Sequence, residues 1–132
     1  MTSYATLTRD PAATYRRIDI AGRTAQADGP ALVQLLYEEL VAALRAAAWA
    51  TDNRKFSVKS ERVTRATAIL FALEAGLDFE KGGEVAVTLS RLYGGARRTI
   101  VNASIGHDSA PFRNTAATLE EIADAWKTAR AA

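Results

Sequence analysis

Apolar residues recur every three or four positions through most of this 132-residue chain, a helical rhythm without the strict alternation of a strand. Leu32, Leu36, Leu40, Leu44 and Ala47 form one stripe, and Val33, Tyr37, Val41 and Ala48 form a second beside it. Together they make a wide apolar arc, which predicts contact with more than one neighbouring element. This first helix is predicted from about residue 31 to residue 50, with Asp28 as its cap and Pro30 near its first turn, where proline does least harm. Thr51, Asp52 and Asn53 read as a turn with a cap. A second helix then runs to about Gly76, with Phe56, Val63, Ala66, Leu70, Leu73 and Leu77 spaced as a bundle seam and Ile69 and Phe71 off it.

The segment from Asp78 to Gly83 interrupts the rhythm, because its two glycines disfavour continued helix. A third helix is predicted from Gly83 or Glu84 to about Ser104, with the seam Val85, Leu89, Leu92, Ala96, Ile100 and Ala103. Gly94 and Gly95 fall in its middle, each costing about 1 kcal/mol relative to alanine, so they imply either a close helix approach or a bend. Gly106 suits a C-terminal cap. Asp108, Ser109, Ala110 and Pro111 open a fourth helix whose seam is Phe112, Thr115, Leu119, Ile122, Trp126 and Ala129. The connections are short, which favours antiparallel neighbours. The predicted fold is all-α, an antiparallel up-down four-helix bundle over residues 29–132. Residues 1–28 form a separate N-terminal segment, a flexible tail or a short helix from about Pro11 that docks loosely.

Composition narrows the function more by exclusion than by assignment. Hydrophobic residues make up 48% of the chain, enough for a packed core. There is no cysteine, so disulfides, thiolate metal sites and cysteine nucleophiles are excluded, and the chain suits a reducing cytoplasm. No apolar run approaches the roughly 18–20 residues of a membrane span. The opening from Met1 to Pro11 lacks a basic segment followed by an apolar stretch, so no secretory signal is expected. Seventeen basic residues oppose fifteen acidic ones, and adjacent pairs such as Arg16-Arg17 and Arg97-Arg98 are scattered along the chain, which reads as solvated charge.

No catalytic, cofactor or metal site is visible. His107 is the single histidine and falls in a loop, so neither HExxH nor Glu-x-x-His can be built. Glu38-Glu39 and Glu120-Glu121 are sequence neighbours, which a helix turns about 100° apart, onto a solvated edge. Lys81-Gly82-Gly83 lacks the longer glycine-lysine pattern of a phosphate loop, and Ser57, Ser60, Ser90 and Ser104 have no triad partners in view.

The distinctive stretch is Leu77-Asp78-Phe79-Glu80-Lys81-Gly82-Gly83-Glu84-Val85-Ala86, followed by Leu89, Leu92 and Tyr93. It resembles the motif of the flagellar secretion chaperones, the FliS family, roughly Leu-Asp-x-Glu-x-Gly-Gly-Glu-(Ile/Val)-Ala and then Leu-x-x-Leu-Tyr. Leu32 to Glu38 is similar to that family's first-helix signature, Asp124-Ala125-Trp126-Lys127 to its last-helix motif, and Tyr15 to its N-terminal tyrosine segment. The resemblances stand in the family's order and cover about residues 15–130. The chain departs from the pattern in two places. Gly29-Pro30 stands where Ser-Pro or Thr-Pro is usual, and Tyr93-Gly94-Gly95 replaces Tyr-x-Tyr.

The resemblance implies a cytosolic export chaperone that binds the disordered C-terminal region of flagellin, prevents premature polymerisation and assists type III flagellar secretion. Components of the export gate are a further partner it implies. Recognition would be of the helix-in-groove kind, with folding on binding demanding a large contact area. The candidate flagellin-binding groove comprises the off-seam residues Ile69, Phe71, Val87 and Tyr93 with Leu73, Leu77, Val85 and Leu89 at the adjoining edge. Tyr15 and Ile18, apolar points in a polar leader, are candidates for a lid over it. Gly82-Gly83 reads as turn geometry. The rivals are a helical adaptor with another partner, and a helical nucleic-acid binder using Arg16, Arg17, Arg97 and Arg98, whose affinity would fall steeply with salt.

Overall fold

Leucine-rich stretches with good helix formers between them fold into helices here, and packing of their apolar arcs supplies most of the stability. The computed structural model describes residues 29–131. They form four helices: α1 (Gly29–Asp52), α2 (Phe56–Ala75), α3 (Phe79–Ser104) and α4 (Ala110–Ala131). The four-helix reading therefore holds. Helix α1 packs against both α2 and α4, α3 packs against α2, and α3 meets α4 only over a short stretch. The Asp28 cap and the whole of residues 1–28 lie outside the described residues.

The width of the α1 arc is explained by its two neighbours. Leu32, Leu36, Leu40 and Leu44 are fully buried, and so are Tyr37 and Ala48 from the second stripe. Each such leucine contributes about 1.5–3 kcal/mol of transfer free energy. The same geometry corrects the reading of the other helices. Ile69 and Tyr93, expected off their seams, are buried to within a percent, because α2 and α3 each also bury a face against two neighbours. Leu73 is likewise in the core. Phe56 and Val85, expected in the seams, are 59% and 66% exposed. Phe56 is the first residue of α2 and Val85 the second after a break in α3, so the right spacing places them beyond the packed layers. On α4, Phe112, Ala116, Leu119 and Ala123 face the core, Trp126 is part-buried, and Ala129 is exposed near the helix end.

Polar contacts fix the register. Arg45 reaches Glu120 at 2.8 Å and Arg113 pairs with Asp52, so α1 and α4 run in opposite directions. Arg97 reaches Glu74 at 2.7 Å, and the buried Lys59 donates to the Gly106 carbonyl at 2.7 Å, so α2 and α3 do the same. Arg65 approaches Glu39 at 3.5 Å. Ion pairs near the surface add little net stability, which makes these markers of register more than sources of stability. Lys59 differs, for its ammonium caps the carbonyl end of α3 and lies 5.9 Å from the Phe112 ring centroid.

The connections differ from expectation in detail. Thr51 and Asp52 still belong to α1. The turn is Asn53-Arg54-Lys55, with Arg54 in the left-handed region at φ 55° and the Lys55 N–H donating back to the Ala50 carbonyl at 2.8 Å. Helix α3 begins at Phe79, four residues before Gly83, and is kinked at that glycine. Its only non-helical backbone is at that glycine, so Gly94-Gly95 makes no bend. Ile105, not Gly106, is the capping residue of α3.

Asp52 carries the resolved ionisation shift. Hydrogen bonds from Arg113 and Ser109 hold its carboxyl below the usual carboxylate range. A depressed native pKa contributes stability that is present above the unfolded value of about 4 and is lost as pH falls through the native value. The acid limb of a melting-temperature series from about pH 5 to pH 3 is therefore expected to be shallower in Asp52→Asn than in the parent chain. An identical limb would show that this carboxylate takes no part.

Candidate functional site

The segment 77–86 forms the tip where α2 turns into α3, and each of its special residues has a structural task. The Asp78 carboxylate accepts from the N–H groups of Glu80 and Lys81, at 3.1 and 3.0 Å, capping a short helical turn. Gly83 has φ 51° and ψ −124°, a conformation that side chains oppose, and it kinks α3 there. A methyl group on Gly82 would stand 2.9 Å from the Ala86 Cβ, too close to fit without a shift. The glycine pair thus permits a tight kink. Gly83→Ala is expected to cost about 1–2 kcal/mol, read from urea unfolding, while a loss below about 0.5 kcal/mol would mean that the tip relaxes freely.

Beside this tip lies an apolar cleft of about 340 Å³. Leu77, Gly82, Val85, Ala86 and Leu89 come from the tip and the start of α3, Leu73 from α2, Val33 from the start of α1 and Trp126 from α4. Asp78 and Lys81 are the charged residues on its wall. Its floor is aromatic. Trp126 lies 4.8 Å from Tyr37 between ring centroids, and Tyr37 meets Tyr93 edge-on at 6.3 Å. The Tyr37 and Tyr93 hydroxyls share a hydrogen bond in the core. Buried aromatics with satisfied hydroxyls make a rigid base, so the cleft is preformed.

Of the eight groove candidates, Leu73, Leu77, Val85, Leu89 and Tyr93 line this cleft. Leu77 and Leu89 are half-buried and Val85 is open to solvent, whereas Leu73 and Tyr93 are core residues that reach it only from beneath. Ile69, expected in the groove, is fully buried and lines no part of this cleft. Phe71 is 42% exposed but sits elsewhere, with the Arg97 guanidinium 5.8 Å from its ring centroid. Val87 is half-buried outside the cleft. The motif pointed to the tip; Val33 and Trp126 were not assigned to the groove, although both belong to segments the sequence had marked. Tyr15 and Ile18 fall outside the described residues.

No group of histidine and carboxylate side chains able to hold a metal occurs among the described residues. Among those residues, no helix is long and apolar enough to cross a membrane. Arg97 is engaged with Glu74 and Phe71, which leaves it poorly placed for a phosphate, while Arg16 and Arg17 lie outside the described residues.

Residues 11–132 match the family described as flagellar protein FliS. The flagellar secretion chaperone FliS of Salmonella typhimurium is 31% identical over 114 residues, covering 86% of this chain and 84% of that protein. The flagellar secretion chaperone FliSB of Pseudomonas aeruginosa is 29% identical over 112 residues, covering 85% and 89%. A third relative, the flagellar secretion chaperone FliS of Campylobacter jejuni, is 30% identical over 96 residues, covering 73% and 75%. A bundle whose helical hairpin closes on Asp78, Gly82 and Gly83, matched over nearly its whole length, places this chain in the FliS family of flagellar proteins.

Proposed function

We propose that this protein is a flagellar export chaperone that binds the C-terminal region of flagellin in the cytoplasm, holds it back from premature polymerisation and assists its type III secretion. The observation that carries this reading is the apolar cleft at the α2–α3 tip, walled by Leu77, Val85 and Leu89 on a rigid aromatic floor. Val85, at 66% exposure, stands on the wall of that cleft with Leu77 and Leu89, so the exposed apolar side chain adjoins an apolar recess. A partner segment that folds as a helix would lay its apolar positions there, and docking on the export gate would follow from the same role.

The reading extends to Tyr15 and Ile18. The chain enters α1 at Gly29, close in sequence to the cleft residue Val33, so the leader can reach the same face and compete with flagellin for it. Hydrogen exchange on residues 10–25 with and without flagellin tests this lid, and unchanged protection would count against it.

The deciding experiment is calorimetry of the purified chain with full-length flagellin and with flagellin lacking its C-terminal helical segment. Tight binding to the first and none to the second is expected. No binding to either would leave a helical adaptor with a different partner.

A further inference from the structure

The end of the bundle opposite the tip gathers apolar side chains that the fold does not bury. Of the eight large hydrophobic residues exposed among the described residues, Trp49, Phe56, Val58 and Ile105 lie within about one helical turn of this end. Trp49 is in the last turn of α1, Phe56 and Val58 open α2, and Ile105, at 87% exposure, caps α3. Two contacts hold these helix ends level. Lys59 ties the first turn of α2 to the Gly106 carbonyl, and Arg113 ties the start of α4 to Asp52 at the end of α1. None of the four apolar residues lines the cleft at the tip or the smaller one, of about 290 Å³, between α3 and α4. They surround a blunt end, a shape that suits a flat surface better than a helix seeking a groove.

The same end carries free positive charge. Arg54 and Lys55 lie in the turn between α1 and α2, both are exposed, and neither has an ion-pair partner among the described residues. The carboxylates nearby are engaged, Asp52 with Arg113, Glu61 with Arg62, and Asp108 with the Ala110 N–H. At the tip the balance is reversed, with Asp78, Glu80 and Glu84 around Lys81. Arg54 is also held at φ 55°, where glycine or asparagine sits more easily, so the turn keeps a cation at a conformational cost.

We infer that this end of the bundle is a docking surface for an anionic lipid bilayer. Trp49, Phe56 and Ile105 enter the boundary between headgroups and acyl chains, while Arg54 and Lys55 stay at the level of the lipid phosphates. Aromatic and aliphatic side chains set around unpaired cations on a blunt end form an interfacial anchor, which needs no membrane-spanning helix. The tip, about 30 Å away along α2, then points from the membrane into solution with its cleft open. This docking does not depend on the flagellin reading.

The test is cosedimentation of the full-length chain with vesicles of phosphatidylcholine alone, and of phosphatidylcholine and phosphatidylglycerol in equal parts, at low and high salt. Binding to the anionic vesicles is expected, lost at high salt and absent from the neutral ones. Tryptophan emission adds a positional readout, because Trp49 and Trp126 are the two tryptophans and lie at opposite ends of the bundle. The parent's emission is expected to move to shorter wavelength on anionic vesicles and to be quenched by lipids brominated in the acyl chain. Trp49→Phe, which retains Trp126, is expected to show neither change. The double variant Arg54→Gly/Lys55→Gln is expected to bind about tenfold or more weakly, while its melting temperature stays close to the parent's because glycine accepts the left-handed turn. Absence of binding to anionic vesicles, equal binding to neutral ones, parent-like binding of the double variant, or the parent's emission change in Trp49→Phe each overturns the proposal. Retention on immobilised polyglutamate without binding to vesicles also overturns it, by assigning the cations to an acidic protein.

Discussion

Replacing Tyr37 by alanine is expected to destabilise the bundle by about 3–5 kcal/mol and to lower its melting temperature by on the order of 10–20 °C. Tyr37 is fully buried on α1 and is the residue where the bundle's interior converges. Its ring touches Trp126 of α4 and meets Tyr93 of α3 edge-on, and its hydroxyl hydrogen-bonds that of Tyr93 across the core. Alanine removes the ring and leaves a cavity between three helices whose backbones cannot close together, so both the transfer and the cavity contributions are lost. Phenylalanine at the same place keeps the ring and is expected to cost only about 1 kcal/mol, the usual net worth of a hydrogen bond. Urea unfolding of the two variants separates packing from polarity. A loss below about 1.5 kcal/mol in Tyr37→Ala would mean that this aromatic contact is peripheral, contrary to the geometry.

The same residue shows what could be read from the sequence and what could not. Tyr37 lies on the second apolar stripe of α1, and that doubled stripe foretold two neighbours, which α2 and α4 turn out to be. On α2 and α3 the apolar spacing reads as a single seam, where the packing needs a wider arc. Ile69 and Tyr93 were therefore placed outside when both are in the core. Periodicity gives direction around a helix axis but not position along the bundle, so it could not foresee that Phe56 and Val85 project past the packed layers. The tip was legible because its chemistry is local. An aspartate cap and a glycine at positive φ act within a few residues of themselves. The cleft was only half legible, since Val33 and Trp126 are brought to Leu77 and Val85 by tertiary packing alone.

Val85 gives the second large effect, and it falls on binding instead of stability. Valine at 66% exposure contributes little to the fold, so Val85→Asp is expected to leave the melting temperature close to that of the parent, within about 0.5 kcal/mol. If the cleft takes an apolar side chain from flagellin, that change puts a carboxylate on its wall beside Leu77 and Leu89, and docking would have to desolvate the charge. Binding is then expected to weaken by about 1–3 kcal/mol, roughly tenfold to a hundredfold. Phe56→Asp is the matched control. It also exchanges an exposed apolar residue for a carboxylate, but at the start of α2, away from the α2–α3 tip, and it should bind flagellin as the parent does. Weakening in both variants would point to a general effect of added negative charge, which a measurement at high salt would remove. Weakening in Phe56→Asp alone would move the binding face to the opposite end of the bundle. Only a loss confined to Val85→Asp ties recognition to the tip, where Leu77 and Val85, on either side of the kink at Gly83, line one cleft.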